Sequence, residues 1–235
     1  MMAVFVLVHS PLVGPLTWSL VADELRRRDV EVVVPSLDDV DDAGVPYWKQ
    51  HITSVAQALE RVAVDRSLVL IGHSGAGPLL PAIRQVASHP IAAYIFVDAG
   101  IPKDGASRLD LLASESHEVA GQFRQALESG DRFPTWSDED LLEIIPDARL
   151  RHGVLAELRP RPLAFYEESI PVFDSWPDAP CGYLLFSPVY AVPAARARRD
   201  GWATCELDAG HFHMLVEPEA VANALMDLAE QMDIS

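Results

Sequence analysis

From its first residues the chain alternates short apolar runs with stretches whose apolar positions recur every three or four residues. Val4–Val8 reads as a buried strand. Leu16–Arg28 follows as a helix with Leu16, Leu20, Val21 and Leu25 on one stripe, and Arg26, Arg27 and Arg28 closing its negative end. Val30–Pro35 reads as the next strand. In Tyr47–Val64, Trp48, Ile52, Val55, Leu59 and Val62 fall at helical spacing. Leu68–Ile71, a helix over Gly75–Ser88 and a strand over Ile91–Asp98 continue the series. Near-continuous apolar strands separated by helices predict a parallel sheet covered on both faces.

The rhythm breaks at about residue 101. Up to residue 178 no strand pattern appears, and the helical candidates are Leu109–Ser129, Asp138–Ile145, Gly153–Leu158 and Pro162–Ser169. This stretch is acidic, broken by prolines, and rich in aromatic residues. Strand and helix patterns then resume at Tyr183–Phe186, Val192–Arg199, Trp202–Leu207 and Pro218–Met232. The pattern predicts an α/β fold, a three-layer doubly wound and mostly parallel sheet of about six strands. Residues 1–100 and 179–235 would form the core. Residues 101–178 would form a helical lid, inserted after the fourth strand and lying over the carboxyl ends of the strands.

At 235 residues the chain fits one such domain with an insertion. No apolar run approaches the roughly 18 to 20 residues needed to cross a bilayer. The apolar start, Met1 to His9, lacks a basic leader and a small-residue cleavage site, so it reads as a first core strand rather than a signal peptide. The two cysteines, Cys181 and Cys205, have no partners at metal-binding spacing, which points to a reduced, cytoplasmic setting. A net charge of −17 argues against nucleic acid and anionic membranes as partners. Arg196, Arg198 and Arg199 read as a solvated helix face. The Asp38–Asp42 run lacks calcium-loop spacing and reads as a solvated turn. The partner expected is a small-molecule substrate, without cofactor or metal, and the pattern leaves open whether the chain forms a homodimer.

Candidate chemistry concentrates in residues 67–81, where a short apolar run ends in Gly72-His73-Ser74-Gly75-Ala76-Gly77 and a second apolar stretch with helical spacing follows. Strand, sharp turn and helix in that order put Ser74 at the apex of a turn that drives its φ positive and demands small neighbours. Its hydroxyl would stand above the sheet beside the first N–H groups of the helix, where a developing anion is stabilised. A glycine-rich loop between a strand and a helix shows the same pattern with no chemical role; the strand–turn–helix context that the motif demands weighs against that reading.

Three segments together resemble the α/β-hydrolase superfamily, in its plant esterase and hydroxynitrile lyase branch, and the likeness runs over nearly the whole chain. They are Val8-His9-Ser10-Pro11-Leu12 with Trp18, the turn around Ser74, and Leu207 to Pro218 with Gly210-His211-Phe212-His213-Met214 at its centre. The resemblance implies Ser74 as nucleophile and His211, rather than His213, as its base. The family's usual aspartate position is occupied by Tyr190 in Ser187-Pro188-Val189-Tyr190. An alternative used by some members, an acid at the end of the preceding strand, falls on Asp98. Local turn capping competes for Asp98, and Asp208 is a third choice. The implied oxyanion donors are the Gly75 N–H and a group from the Ser10 loop. The usual second donor falls on Pro11, which has no N–H. The Ser10 hydroxyl or the Leu12 N–H would replace it, unless the chemistry does without. Trp136 and Phe133 are candidate pocket residues from the insertion, and Met214 is one from the histidine loop.

The expected activity is therefore hydrolysis of an ester, lactone or thioester with an apolar part, through an acyl-enzyme on Ser74. The competing expectation keeps Ser74 and His211 but uses them for acid–base work in a lyase, eliminase or cyclisation catalyst, which Pro11 and Tyr190 favour. A non-catalytic ligand-binding role is the third.

Overall fold

The computed structural model describes residues 3–39 and 44–234. Strands β1 (Val4–Val8), β2 (Val32–Val33), β3 (Leu68–His73), β4 (Ile91–Val97), β5 (Cys181–Leu185) and β6 (Ala203–Glu206) form one sheet in the order β2-β1-β3-β4-β5-β6. Every neighbouring pair is parallel. This is the doubly wound sheet that the pattern predicts.

Side chains alternate across each strand, and both faces are dry. Phe5, Leu7, Val69, Ile71, Ile95 and Leu184 belong to one apolar cluster, closed by helices α1 (Leu16–Arg26) and α11 (Pro218–Gln231). Val4, Val6, Leu70, Phe96 and Tyr183 face the other, closed by α2 (Tyr47–Leu59), α3 (Leu80–Val86) and α9 (Ala191–Arg199).

Between β4 and β5 lie α4 (Arg108–Glu115), α5 (His117–Glu128), α6 (Asp138–Leu141), α7 (Ala148–Ala156) and α8 (Leu163–Glu167). A short helix, α10 (His213–Val216), precedes α11. Leu109, Leu127, Phe165 and Tyr166 gather into a third, smaller apolar cluster, against which Leu12 and Phe133 pack.

Several boundaries differ from the periodicity reading. The single helix expected over Leu109–Ser129 is two, because Ser116 leaves the helical region (φ −153°, ψ 108°) and caps the second with its side chain. The strand expected over Val30–Pro35 pairs only at Val32–Val33. The helix after Ser74 begins as a tight 3-10 turn over Ser74–Leu79, and Pro78 within it has no N–H for a regular ladder. That turn sits very close to its neighbour: a Cβ at Gly77 would lie 2.4 Å from the carbonyl oxygen of Gly100. Asp39 is exposed, as expected of a solvated turn, yet its carboxylate also pairs with Arg161 and His51, at 2.6 and 3.2 Å. Residues 40–42 of that acidic run lie outside the described residues.

Candidate active site

Ser74 leaves β3 with φ +56°, the left-handed region that non-glycine residues avoid at a cost of about 1 kcal/mol or more. Close packing on both sides holds it there. A Cβ at Gly72 would meet the backbone of Ala76 and Gly77 at 3.2 Å, and one at Gly75 would stand 3.4 Å from the Ser10 hydroxyl and 3.5 Å from the Pro11 ring. The loop after β1 therefore lies directly against the serine turn.

Asp98 leaves β4 with the same unusual backbone, φ +44°. The Tyr183 hydroxyl braces that corner, donating to the Ala99 carbonyl at 2.7 Å and accepting the Ala99 N–H at 3.1 Å. The Asp98 side chain is fully buried. One carboxylate oxygen accepts the N–H groups of Phe186 and Ser187 at 3.0 and 2.9 Å. The other accepts the Ser187 hydroxyl at 2.6 Å and His211 Nδ1–H at 2.7 Å. Burial alone would raise its pKa. The hydrogen bonds from His211 and Ser187 and the attraction of the imidazole outweigh burial and hold it below the usual value. An ionised carboxylate only accepts, so it fixes the proton on Nδ1 and leaves Nε2 of His211 as a base.

The His211 ring contacts two others. The His73 ring is 4.5 Å away, and the Tyr190 ring stacks on that of His211 with centroids 5.3 Å apart and planes 14° from parallel. His73 Nε2–H donates to the His211 carbonyl at 3.0 Å, and burial drives the His73 pKa well below normal, keeping it neutral. The Tyr190 hydroxyl is 3.1 Å from Ser74 Oγ. Among the described residues no hydrogen bond joins Ser74 directly to His211; Tyr190 touches both. Burial pushes its phenol up to about 12, so it keeps its proton at neutral pH.

Pro11 has no N–H to offer the site, and its carbonyl accepts Nε–H and Nη2–H of Arg161 at 3.1 and 2.9 Å. The Leu12 N–H turns back to Ser10 Oγ at 3.4 Å. His9 fixes the start of this loop. Its Nε2 accepts the Leu37 N–H at 3.1 Å, so Nδ1 carries the proton and donates to the Ser10 carbonyl at 2.8 Å.

A cavity of about 360 Å³ opens above Ser74, at the small end of the range for small-molecule sites. Leu12, Gly75, Phe133, Phe165, Tyr166 and Tyr190 form part of its wall. A larger cleft of about 890 Å³ lies between residues 44–50 and 158–168 and contains none of Ser74, His211 or Asp98.

The structure thus brings Ser74, His211, Asp98, Ser10, Pro11, Leu12 and Gly75 to one place. It does not bring Trp136 or Met214 to the cavity. Trp136 packs edge-on to Phe133 and Phe212, one layer behind the wall. Met214 is wholly buried in the cluster beneath α1 and α11. His213 lies half-buried against Phe186, at 5.7 Å. Sequence reasoning misses Tyr190 and Ser187 as members of the site; the only signal for them is their place in the turn where an acid is sought. Among the described residues no group of three or more His, Cys, Asp or Glu could hold a metal ion, and no helix is long and apolar enough to cross a membrane.

The model of the alpha/beta hydrolase family matches residues 5–224. The chain belongs to that family. Among relatives of this hydrolase is the carbendazim hydrolyzing esterase of Nocardioides sp. (strain SG-4G), 25% identical over 252 residues, covering 97% of this chain and all of the relative. An extracellular alpha/beta-hydrolase from a Paenibacillus species superposes with a TM-score of 0.75 at 20% identity, covering 96% of the hydrolase and 98% of that chain. Polyneuridine aldehyde esterase superposes with a TM-score of 0.76 at 14% identity, covering 97% and 100%.

Proposed function

We propose that this hydrolase cleaves carboxylic esters of small, largely apolar molecules through an acyl-enzyme on Ser74. The observation that carries the reading is the Asp98–His211 hydrogen bond of 2.7 Å, made beside a serine held at positive φ in the wall of an apolar cavity. The kinship with an esterase covering nearly the whole chain supports the same reaction class.

Ser74 Oγ turns from Tyr190 toward Nε2 of His211, gives up its proton and attacks the ester carbonyl. Asp98 keeps Nε2 facing the serine and stabilises the imidazolium that forms. The tetrahedral oxyanion takes the Gly75 N–H and the Tyr190 hydroxyl, which stands in for the donor that Pro11 lacks. His211 returns the proton to the leaving alcohol, and water repeats the sequence to release the acid. In this reading residues 101–178 are the lid that shapes the cavity, with Phe133, Phe165 and Tyr166 supplying its aromatic wall.

The test is covalent labelling. A fluorophosphonate should mark the wild-type protein at Ser74 and leave Ser74→Ala unmarked, and p-nitrophenyl esters should show a burst equal to one acyl group per chain. Turnover of a substrate without incorporation of oxygen from labelled water, in a protein that is never acylated, would replace hydrolysis by acid–base chemistry at the same residues.

A further inference from the structure

The wall of the cavity above Ser74 is mostly apolar and carries two charged side chains, Arg108 and Glu115, both on α4. Seven residues on one helix separate them by about 10 Å along its axis. Glu115 is at the end of α4 that acts electrostatically on Tyr190, close to the reacting groups. Arg108 is at the other end, with its guanidinium carbon 4.0 Å above the Phe165 ring.

The environment of Arg108 is unusual for a cation. Nη1 makes one long bond to the Phe165 carbonyl, at 3.4 Å. Nε and Nη2 are shielded from solvent, yet among the described residues they meet no acceptor. Glu168 is the main compensating charge, but its two oxygens already accept the N–H groups of Tyr47 and Trp48, at 2.7 and 3.2 Å. Arg161 repels it. Burial with so little compensation pulls the Arg108 pKa down to about 10, still charged at neutral pH. A shielded guanidinium edge whose donors meet no acceptor destabilises the fold. Arg161, a few residues from Phe165, shows what a structural arginine in this segment looks like: its Nε, Nη1 and Nη2 are all satisfied by Pro11 and Asp39.

The unsatisfied edge is the informative part. Nε and Nη2 form the side-on fork of a guanidinium, two parallel donors spaced for the two oxygens of a carboxylate. We infer that Arg108 is a specificity-determining residue whose side chain turns this shielded edge toward the cavity, and that the substrate carries a carboxylate at the end remote from the ester bond cleaved at Ser74. The apolar wall between the two ends then takes the intervening carbon chain or ring. This inference rests on the reading that an ester carbonyl is presented to Ser74; it adds which ester.

Two p-nitrophenyl esters of equal length test it, the hexanoate and the monoester of adipic acid, which differ only in a terminal methyl against a terminal carboxylate. Wild-type protein should prefer the adipate ester in kcat/KM. Arg108→Met should lower the ratio of the two kcat/KM values by roughly 10- to 100-fold, the range of a hydrogen bond to a charged group. The change should lie in KM. Arg108→Lys, which keeps the charge and loses the fork, should fall between. No preference in the wild type, or a ratio within two-fold of it in Arg108→Met, overturns the inference. Calorimetry of monomethyl adipate and methyl hexanoate with Ser74→Ala and Ser74→Ala/Arg108→Met needs no turnover. Discrimination there in a protein that never becomes acylated would leave the carboxylate site standing and remove the esterase reading. Turnover of both esters without discrimination would do the reverse.

Discussion

Tyr190→Phe removes one oxygen from the site and leaves in place the ring that covers His211. Two roles for that oxygen predict opposite outcomes. If the phenol only holds Ser74 Oγ in the resting arrangement, its hydrogen bond of 3.1 Å is a ground-state interaction between neutral groups. Such a bond is worth about 0.5–1.5 kcal/mol, and losing it would free the nucleophile and speed turnover roughly two- to ten-fold. If the phenol instead donates to the tetrahedral oxyanion, it stands in for an oxyanion-hole N–H, whose removal slows turnover by about two to three orders of magnitude. The proposed mechanism requires the second outcome, since Pro11 has no N–H and the Leu12 N–H is turned toward Ser10. The assay is steady-state hydrolysis of p-nitrophenyl esters, with Tm measured alongside. Loss of a single hydrogen bond should move Tm by only about 2–4 °C in a chain of this size. Turnover is expected to slow by about a hundredfold or more, with KM within a few-fold of the wild type. An unchanged or faster turnover would remove Tyr190 from the transition state and leave the oxyanion with one backbone donor.

Further outcomes follow from the same geometry. Asp98→Asn keeps the shape of the site but presents an amide to Nδ1, so the tautomer inverts and Nε2 no longer accepts; turnover of the same esters should slow by about four orders of magnitude. His9 is buried, and burial lowers its pKa to about 4, chiefly by desolvation, with the Ser10 hydrogen bond opposing. Its folded pKa lies below the unfolded value near 6.5, so its contribution is complete above that value and is lost as the pH falls toward 4. Over that window about 3 kcal/mol of stability should go, visible as a lower urea midpoint at about pH 4.5 than at about pH 7, and the drop should shrink in His9→Gln. Gly77→Ala would force a methyl group to within 2.4 Å of the Gly100 carbonyl oxygen, so the urea midpoint should fall by the equivalent of about 1–3 kcal/mol or more. An unaltered midpoint would show that the turn can open.

The legible parts of the fold are those governed by burial alone. Val4–Val8, Leu68–Ile71 and Ile91–Val97 are dry on both faces along most of their length, and a strand with nothing but apolar neighbours writes that fact into every residue. Boundaries set by single hydrogen bonds are harder to see, because Ser116 reads as one more polar position until its hydroxyl is found capping α5. In the site, Ser74, His211 and Asp98 are legible from turn chemistry and from the family pattern. Tyr190 is not, since a tyrosine in an acid's place is informative only once its hydroxyl is seen on Ser74. Met214 and Trp136 fail for a related reason. A residue's distance along a loop from a functional neighbour does not state which face of the loop it uses, and both face the apolar interior rather than the cavity.

Arg161 belongs to the insertion, yet its guanidinium fastens the carbonyl of Pro11 in the core loop while Asp39 steadies it from a third segment. The helices between β4 and β5 and the loop after β1 are thus not separable modules. Grafting the corresponding helices of a relative onto this sheet would unpin the chain beside the Ser74 turn. An engineer altering substrate range here should keep that one side chain and vary the aromatic wall around it.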